Sequence, residues 1–157
     1  MSIDSDTTDI IRSIPGFDKL DADSVSAIAS ASSLRSVADD TALYVEDETS
    51  LDAYFIVSGI VSIRTRIPGS ETFSELLTLR SGAFFGVLSF LDGSRRHMSA
   101  VARGRSLVLR MDGALLKAAC ESSSVVGRAV YERFGQAAAN NSRDISMELR
   151  NLLAERS

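Results

Sequence analysis

Cysteine and histidine occur once each among 157 residues, at Cys120 and His97, and that scarcity removes several chemistries at the outset. One cysteine closes no disulfide within a chain, and one thiol beside one imidazole cannot complete a zinc site, so the sequence fits a reducing compartment. With a single imidazole and no convergent carboxylate pair, acid–base and nucleophilic catalysis have little to use, and no enzyme is expected. Long apolar runs are missing too. Nothing approaches the roughly 20 residues that span a bilayer, which argues against membrane insertion. The N-terminal MSIDSDTTDI has neither the basic n-region nor the apolar h-region of a secretory signal, so a cytoplasmic protein is expected. Basic charge is in short supply, 17 Lys and Arg against 21 Asp and Glu, for a net charge of -4. No global positive field is available to hold a phosphate backbone. The acidic turns Asp39-Asp40 and Glu46-Asp47-Glu48 lack the spacing of an oxygen-ligand loop and read as solvated charge.

What the chain does have is apolar content, 45% of its residues, enough for one domain with its own core. Residues 1–9 are expected to be a disordered N-terminus and residues 10–157 a single domain. The helical lead-in, DIIRSIPGFDKLDADSVSAIASAS, reads as two pieces around Pro15 and Gly16. Asp21 or Asp23 caps the second piece, and Val25, Ile28 and Ala29 share one face. From Leu34 the period changes. LRSVA, TALYVE, DAYFIVSG, IVSIRTR, TFSELLTLR, MSAVAR and SLVLRM are short β-branched or aromatic runs, with SGI and PGSE as turns. Such spacing predicts a β-barrel or sandwich over residues 34–111. Helical periodicity returns over 112–156 and ends in a long helix, on which Val126, Val130, Phe134, Ala137, Ile145, Leu149 and Leu152 form an interrupted apolar stripe. The stripe either packs along its own barrel or pairs with a second copy. In the latter case Val126, Val130, Phe134 and Ala137 are the homodimer contacts.

The stretch GAFFGVLSFLDGSRRHMSAVA, residues 82–102, carries the most concentrated polar signal. If Gly86 opens a short helix through VLSFL, the first amides of that helix are unsatisfied and favour an anion. Gly86, having no Cβ, lets the backbone come close to it. A guanidinium from Arg95 or Arg96 would add paired contacts to phosphate oxygens. The competing reading makes both arginines solvated turn residues and the apolar run plain core.

The order of elements and this stretch together resemble the cyclic-nucleotide-binding domain family, the module of cyclic-nucleotide-dependent kinases, nucleotide-gated channels and the bacterial catabolite activator protein. FGVLSFLDGSRRHMSAVA, from Phe85 to Ala102, aligns without a gap with the family's phosphate-binding cassette, F-G-E-L-A-L-L-x-x-x-P-R-A-A-T-V-x-A. LYVEDETSLDAYFIVSGIVSI is similar to the strands written L-x-x-x-G-D-x-x-x-x-x-Y-x-I-x-x-G-x-V-x-V, and LLTLRSGAFFG to L-x-x-L-x-x-G-x-x-F-G. The likeness runs from residue 10 to about 135.

That resemblance implies an α+β, mainly β fold: an antiparallel jelly-roll barrel flanked by N-terminal helices and a long C-terminal helix. The implied ligand-binding residues are Phe85, Gly86, Val87, Leu88, Ser89, Arg95, Arg96, His97 and Ser99. Among them the amides after Gly86, with Ser99 near the pocket wall, would line the sugar-phosphate, and Arg96 would pair with the exocyclic phosphate oxygens. Arg95 stands at the common proline and His97 at a small or hydroxyl position. Val87 departs from the pattern, because the family has there the glutamate that accepts from the ribose 2′-hydroxyl. No catalytic or metal-binding residue and no cofactor are implied. The expected function is a stand-alone regulatory sensor module that binds a cyclic nucleotide, cAMP or cGMP, or another small phosphate ligand, and signals through its C-terminal helices to a protein effector. The alternative is a degenerate, ligand-free scaffold for dimerisation or protein interaction. A DNA-binding helix-turn-helix after the long helix finds no room before Ser157, so DNA is not an expected partner.

Overall fold

Six antiparallel strands organise the chain in the computed structural model, which describes residues 3–156. Helices α1 (Ile3–Ser13) and α2 (Ala22–Ser30) lead into β1 (Ser32–Val37), β2 (Ala42–Tyr44), β3 (Ala53–Arg66), β4 (Phe73–Arg80) and β5 (Phe84–Phe85). The short helix α3 (Val87–Asp92) precedes β6 (Ser99–Met111), and α4 (Gly113–Ser122) and α5 (Ser124–Glu155) close the chain. The strand order is β1-β6-β3-β4, with β2 also on β6 and β5 also on β3. This is the expected mainly β architecture with its long C-terminal helix.

Because side chains alternate across a strand, β3 and β6 each feed two cores. Ala53 and Phe55 of β3, with Leu109 and Met111 of β6, turn outward to the helices. Tyr54 and Ile56, with Ala100, Ala102 and Val108, turn into the barrel. The expected SGI turn is a correction. Ser58-Gly59-Ile60 lies inside one continuous strand, β3, where the register against β6 slips on either side of Ser58. The consequence is a change of parity: Tyr54 and Ile56 before the slip and Val61 and Ile63 after it all face the barrel interior. Gly59 adopts φ 99°, and a Cβ there would collide with Ser106. The runs MSAVAR and SLVLRM likewise form one strand, β6. PGSE falls in the loop that joins β3 to β4, as expected.

Asp21 caps α2 by accepting from Ser24 N at 2.8 Å, and Val25 and Ile28 of that helix are fully buried. The N-terminus differs from expectation, since residues 3–9 lie within α1. Thr7 sits one turn before Ile11 on the face that packs against the core, and both are buried, which gives the earlier turn a reason to stay helical. Met1 and Ser2 of the expected disordered segment lie outside the described residues. Ser123 caps α5 through its Oγ, 3.2 Å from Val126 N. The first half of α5 packs on its own domain, so the homodimer contacts expected at Val126, Val130 and Phe134 are a correction. These three side chains are at most 1% exposed and sit among Phe84, Phe90 and Leu116, where no second copy can reach them. Ala137 is half-buried against the same cluster. Gly127 marks the close approach of α4, because a Cβ there would lie 2.9 Å from Cys120 O.

Candidate functional site

The turn into α3 is where backbone conformation, a buried charge and a cavity meet. Gly86 holds φ 73° and ψ 13°, a left-handed conformation that favours glycine. Space forbids a side chain as well, since a Cβ would stand 3.0 Å from Arg96 Nη1, 3.1 Å from Asp52 O and 3.2 Å from Tyr44 Cε1. Beyond this glycine the first amides of α3 have no intrahelical partner.

Arg96 is 3% exposed. Its Nη1 donates to Gly86 O at 2.8 Å, and its Nη2 donates to Asp52 O at 2.5 Å and Ser50 Oγ at 3.2 Å. The guanidinium lies 4.1 Å from the Tyr44 ring centroid, a cation–π contact. Nε is buried and has no hydrogen-bond partner. Burial pulls the pKa of Arg96 down, while Tyr44, Tyr54, Asp52 and Glu48 draw it back up. Burial also pushes the Tyr44 phenol up to about 12, against the pull of Arg96.

The backbone of Arg96 is stitched to the turn before it. Arg96 N donates to Glu48 O and Asp47 N donates to Arg96 O, at 2.9 and 2.8 Å. Asp47 carries φ 79°, the left-handed conformation, at the position where the strand pattern has glycine. Asp52 then joins the pocket to the C-terminal helices. Its carbonyl takes Arg96 Nη2, while its carboxylate accepts from Arg110 Nη2 at 2.7 Å and from Gly113 N at 2.8 Å.

Over this turn lies a cavity of about 590 Å³ counted out to its open mouth. Phe85, Gly86, Val87, Leu88, Ser89, Arg96 and His97, all expected at a binding site, line it. Two expected residues do not. Arg95 is exposed and its Nη1 donates to Asp47 O at 3.1 Å, and the buried Ser99 accepts from Glu46 N at 2.9 Å. Both fasten the neighbouring turn. Val87 is 2% exposed and also belongs to the helix-facing core. The remaining wall comes from residues the sequence reading left out of the site: Tyr44, Ile63 and Leu77 from the barrel, Met98 just before β6, and Ala138, Asn141 and Ile145 from α5. No carboxylate lines the cavity.

The profile of the cyclic nucleotide-binding domain family matches residues 34–123, more than half of the chain and the whole of this site except α5. The chain belongs to the cyclic nucleotide-binding domain family. No curated protein matches the sequence. Solved structures share the fold of this domain at low identity. A cyclic nucleotide-binding domain from Methylobacillus flagellatus KT superimposes with a TM-score of 0.76 at 20% identity, over 97% of this chain and 83% of that one. The regulatory domain of Toxoplasma gondii PKA, crystallised with cAMP, gives 0.68 at 18% identity, over 83% of this chain and 49% of that one. The regulatory subunit of a cAMP-independent protein kinase A from Trypanosoma brucei gives 0.66 at 15% identity, over 96% of this chain and 52% of that one. The same fold thus occurs in a structure that holds cAMP and in one described as independent of it, and the choice between them falls to the residues of the pocket. Among the described residues no cluster of three His, Cys, Asp or Glu could hold a metal ion, and no helix is long and apolar enough to cross a membrane.

Proposed function

We propose that this cyclic nucleotide-binding domain is a regulatory sensor module that takes cAMP or cGMP into the cavity over Gly86 and Arg96 and passes the event to a protein effector through α5. The observation that carries the reading is the state of Arg96. A guanidinium that is 97% buried and stands in the wall of a cavity lined by no carboxylate brings a positive charge to that cavity. Keeping a cation out of water is costly, and an anion in the cavity offsets that cost. The amides after Gly86 supply further donors to the same anion. Ala138, Asn141 and Ile145 put α5 within reach of whatever fills the cavity, which gives the ligand a route to the helix.

The sugar side differs in chemistry. With Val87 at the floor and no carboxylate in the wall, a ribose hydroxyl meets only apolar surface there. Recognition therefore rests on the phosphate, and affinity is modest. Isothermal titration of the wild type with cAMP and cGMP tests the proposal. A saturable one-to-one heat is expected, weakened roughly 10- to 100-fold in Arg96→Lys, which keeps the charge and loses the fork. No heat from either nucleotide at millimolar concentration overturns it and leaves the ligand-free scaffold.

A further inference from the structure

A second cavity, about 730 Å³ out to its mouth, opens between β1, β2 and the loop that joins them. Its chemistry follows from sheet register. Arg110 on β6 lies opposite Ser33 on β1 and opposite Tyr54 on β3, and Arg35 lies opposite Val108. Arg35 and Arg110 are therefore diagonal neighbours on one face of adjacent strands, a separation of roughly 7–8 Å at which long side chains meet. Two positive charges so placed repel each other. Arg110 answers its own charge with Asp52, to which Nε and Nη2 donate at 2.8 and 2.7 Å. Arg35 has no such answer. Its Nε reaches Ser33 Oγ at 3.4 Å, and among the described residues no carboxylate pairs with it. The Tyr54 hydroxyl donates to Leu43 O at 3.5 Å, the outer limit of a hydrogen bond. Both arginines and Tyr54 line the cavity, the hydroxyl residues Ser36 and Thr41 join them, and no acidic side chain does.

We propose that this cavity is a second binding site, separate from the Arg96 pocket, for a compact oxyanion of the phosphate class. Such a group neutralises the unpaired charge of Arg35 and can accept from both guanidinium groups and the Tyr54 phenol that line the cavity. A halide lacks the spread of oxygens needed to reach all three. Asp52 connects the two sites, since its carboxylate holds Arg110 and its carbonyl holds Arg96.

The test is a titration of the isotope-labelled full chain, read by amide chemical shifts, with inorganic phosphate in one arm and glycerol 2-phosphate in the other. Sodium chloride at matched ionic strength is the control. Saturable shifts at residues 35–43 and at Arg110 are expected in at least one arm, and the tighter arm tells whether the site reads the free ion or an ester. Arg35→Gln, at an exposed position with no ion pair, leaves the fold intact and weakens binding roughly 10-fold, the worth of one charge-assisted hydrogen bond. Shifts confined to residues 86–89, shifts that chloride reproduces, or an affinity unchanged in Arg35→Gln each overturn the proposal. None of these readouts depends on whether a nucleotide binds at Arg96.

Discussion

Replacing Arg96 by alanine is expected to destabilise the protein before any ligand is added. The side chain is 3% exposed and bridges two segments, donating to Gly86 O on one side and to Asp52 O and Ser50 Oγ on the other. Truncation leaves the two backbone carbonyls without their donor, at about 1–3 kcal/mol each. It also removes the cation–π contact with Tyr44, worth about 1–2 kcal/mol at a desolvated site. Against these losses stands relief, because a buried cation is itself costly and burial already pulls its pKa down. The balance is a loss of about 2–4 kcal/mol. Urea denaturation of the ligand-free protein, followed by far-UV circular dichroism, measures it, with the slope against denaturant unchanged so that the midpoint carries the effect. Arg95→Ala is the matched control. Arg95 is exposed and makes one bond, to Asp47 O, so its removal shifts stability by no more than about 0.5 kcal/mol. A loss below about 1 kcal/mol in Arg96→Ala would refute the reasoning, because the arginine would then be a donor held for a ligand and no part of the frame.

Two further outcomes follow from the same pocket. Val87→Glu places a carboxylate on the apolar floor, and titration should show cAMP binding roughly 10-fold tighter than in the wild type, the worth of one charged hydrogen bond to the ribose; equal or weaker binding counts against a nucleotide seated over Val87. Tyr44, held neutral by burial with a pKa of about 12 in the fold, contributes stability that is complete below pH 10 and is lost between pH 10 and about 12, on the order of a few kcal/mol; in an alkaline titration its tyrosinate absorbance should appear last and vanish in Tyr44→Phe.

The barrel was legible because it rests on local period. Alternation in IVSIRTR and the return of helical spacing after Met111 hold whatever the tertiary context. The SGI segment misled because a glycine at positive φ serves a turn and a slipped strand register equally well, and only the pairing with β6 separates them. Gly86 and Arg96 were legible as a pair ten residues apart, yet nothing local says that the arginine turns inward to two carbonyls while its neighbour Arg95 turns out. Tyr44, Leu77 and Asn141 reach the cavity from three separate elements, and their meeting is set by the closure of the barrel and the path of α5. The apolar stripe of α5 was visible, but its partner was not. Burial of Val126, Val130 and Phe134 against the chain's own helices and sheet decides between self-packing and pairing, and burial has no signature in a single sequence.

The role proposed for α5 has an energetic basis in the way its two halves are held. Up to Phe134 the helix is anchored: Val126, Val130 and Phe134 are at most 1% exposed, and the Phe134 ring meets Phe84 and Phe90 at centroid distances of 5.5 and 5.1 Å. Each such side chain contributes about 1.5–3 kcal/mol by burial. Beyond Ala138 the attachments thin out. Asn141 Nδ2 donates to Phe84 O at 3.4 Å, Ile145 is half-buried at the cavity wall, and Met147, Leu149, Leu152 and Leu153 are exposed. A segment with so little buried area opens at a small fraction of the global cost. The ligand contacts on α5 would fall at Ala138, Asn141 and Ile145, where the firmly held half gives way to the lightly held one. There, one or two kcal/mol of differential contact changes the ratio of docked to released helix roughly 5- to 30-fold, whereas the same contact on the firmly held Phe134 works against a far larger opposing cost. Loss of the sugar contact at Val87 is therefore compatible with a working sensor, because the response needs only a small difference in affinity at the place where the helix is weakest.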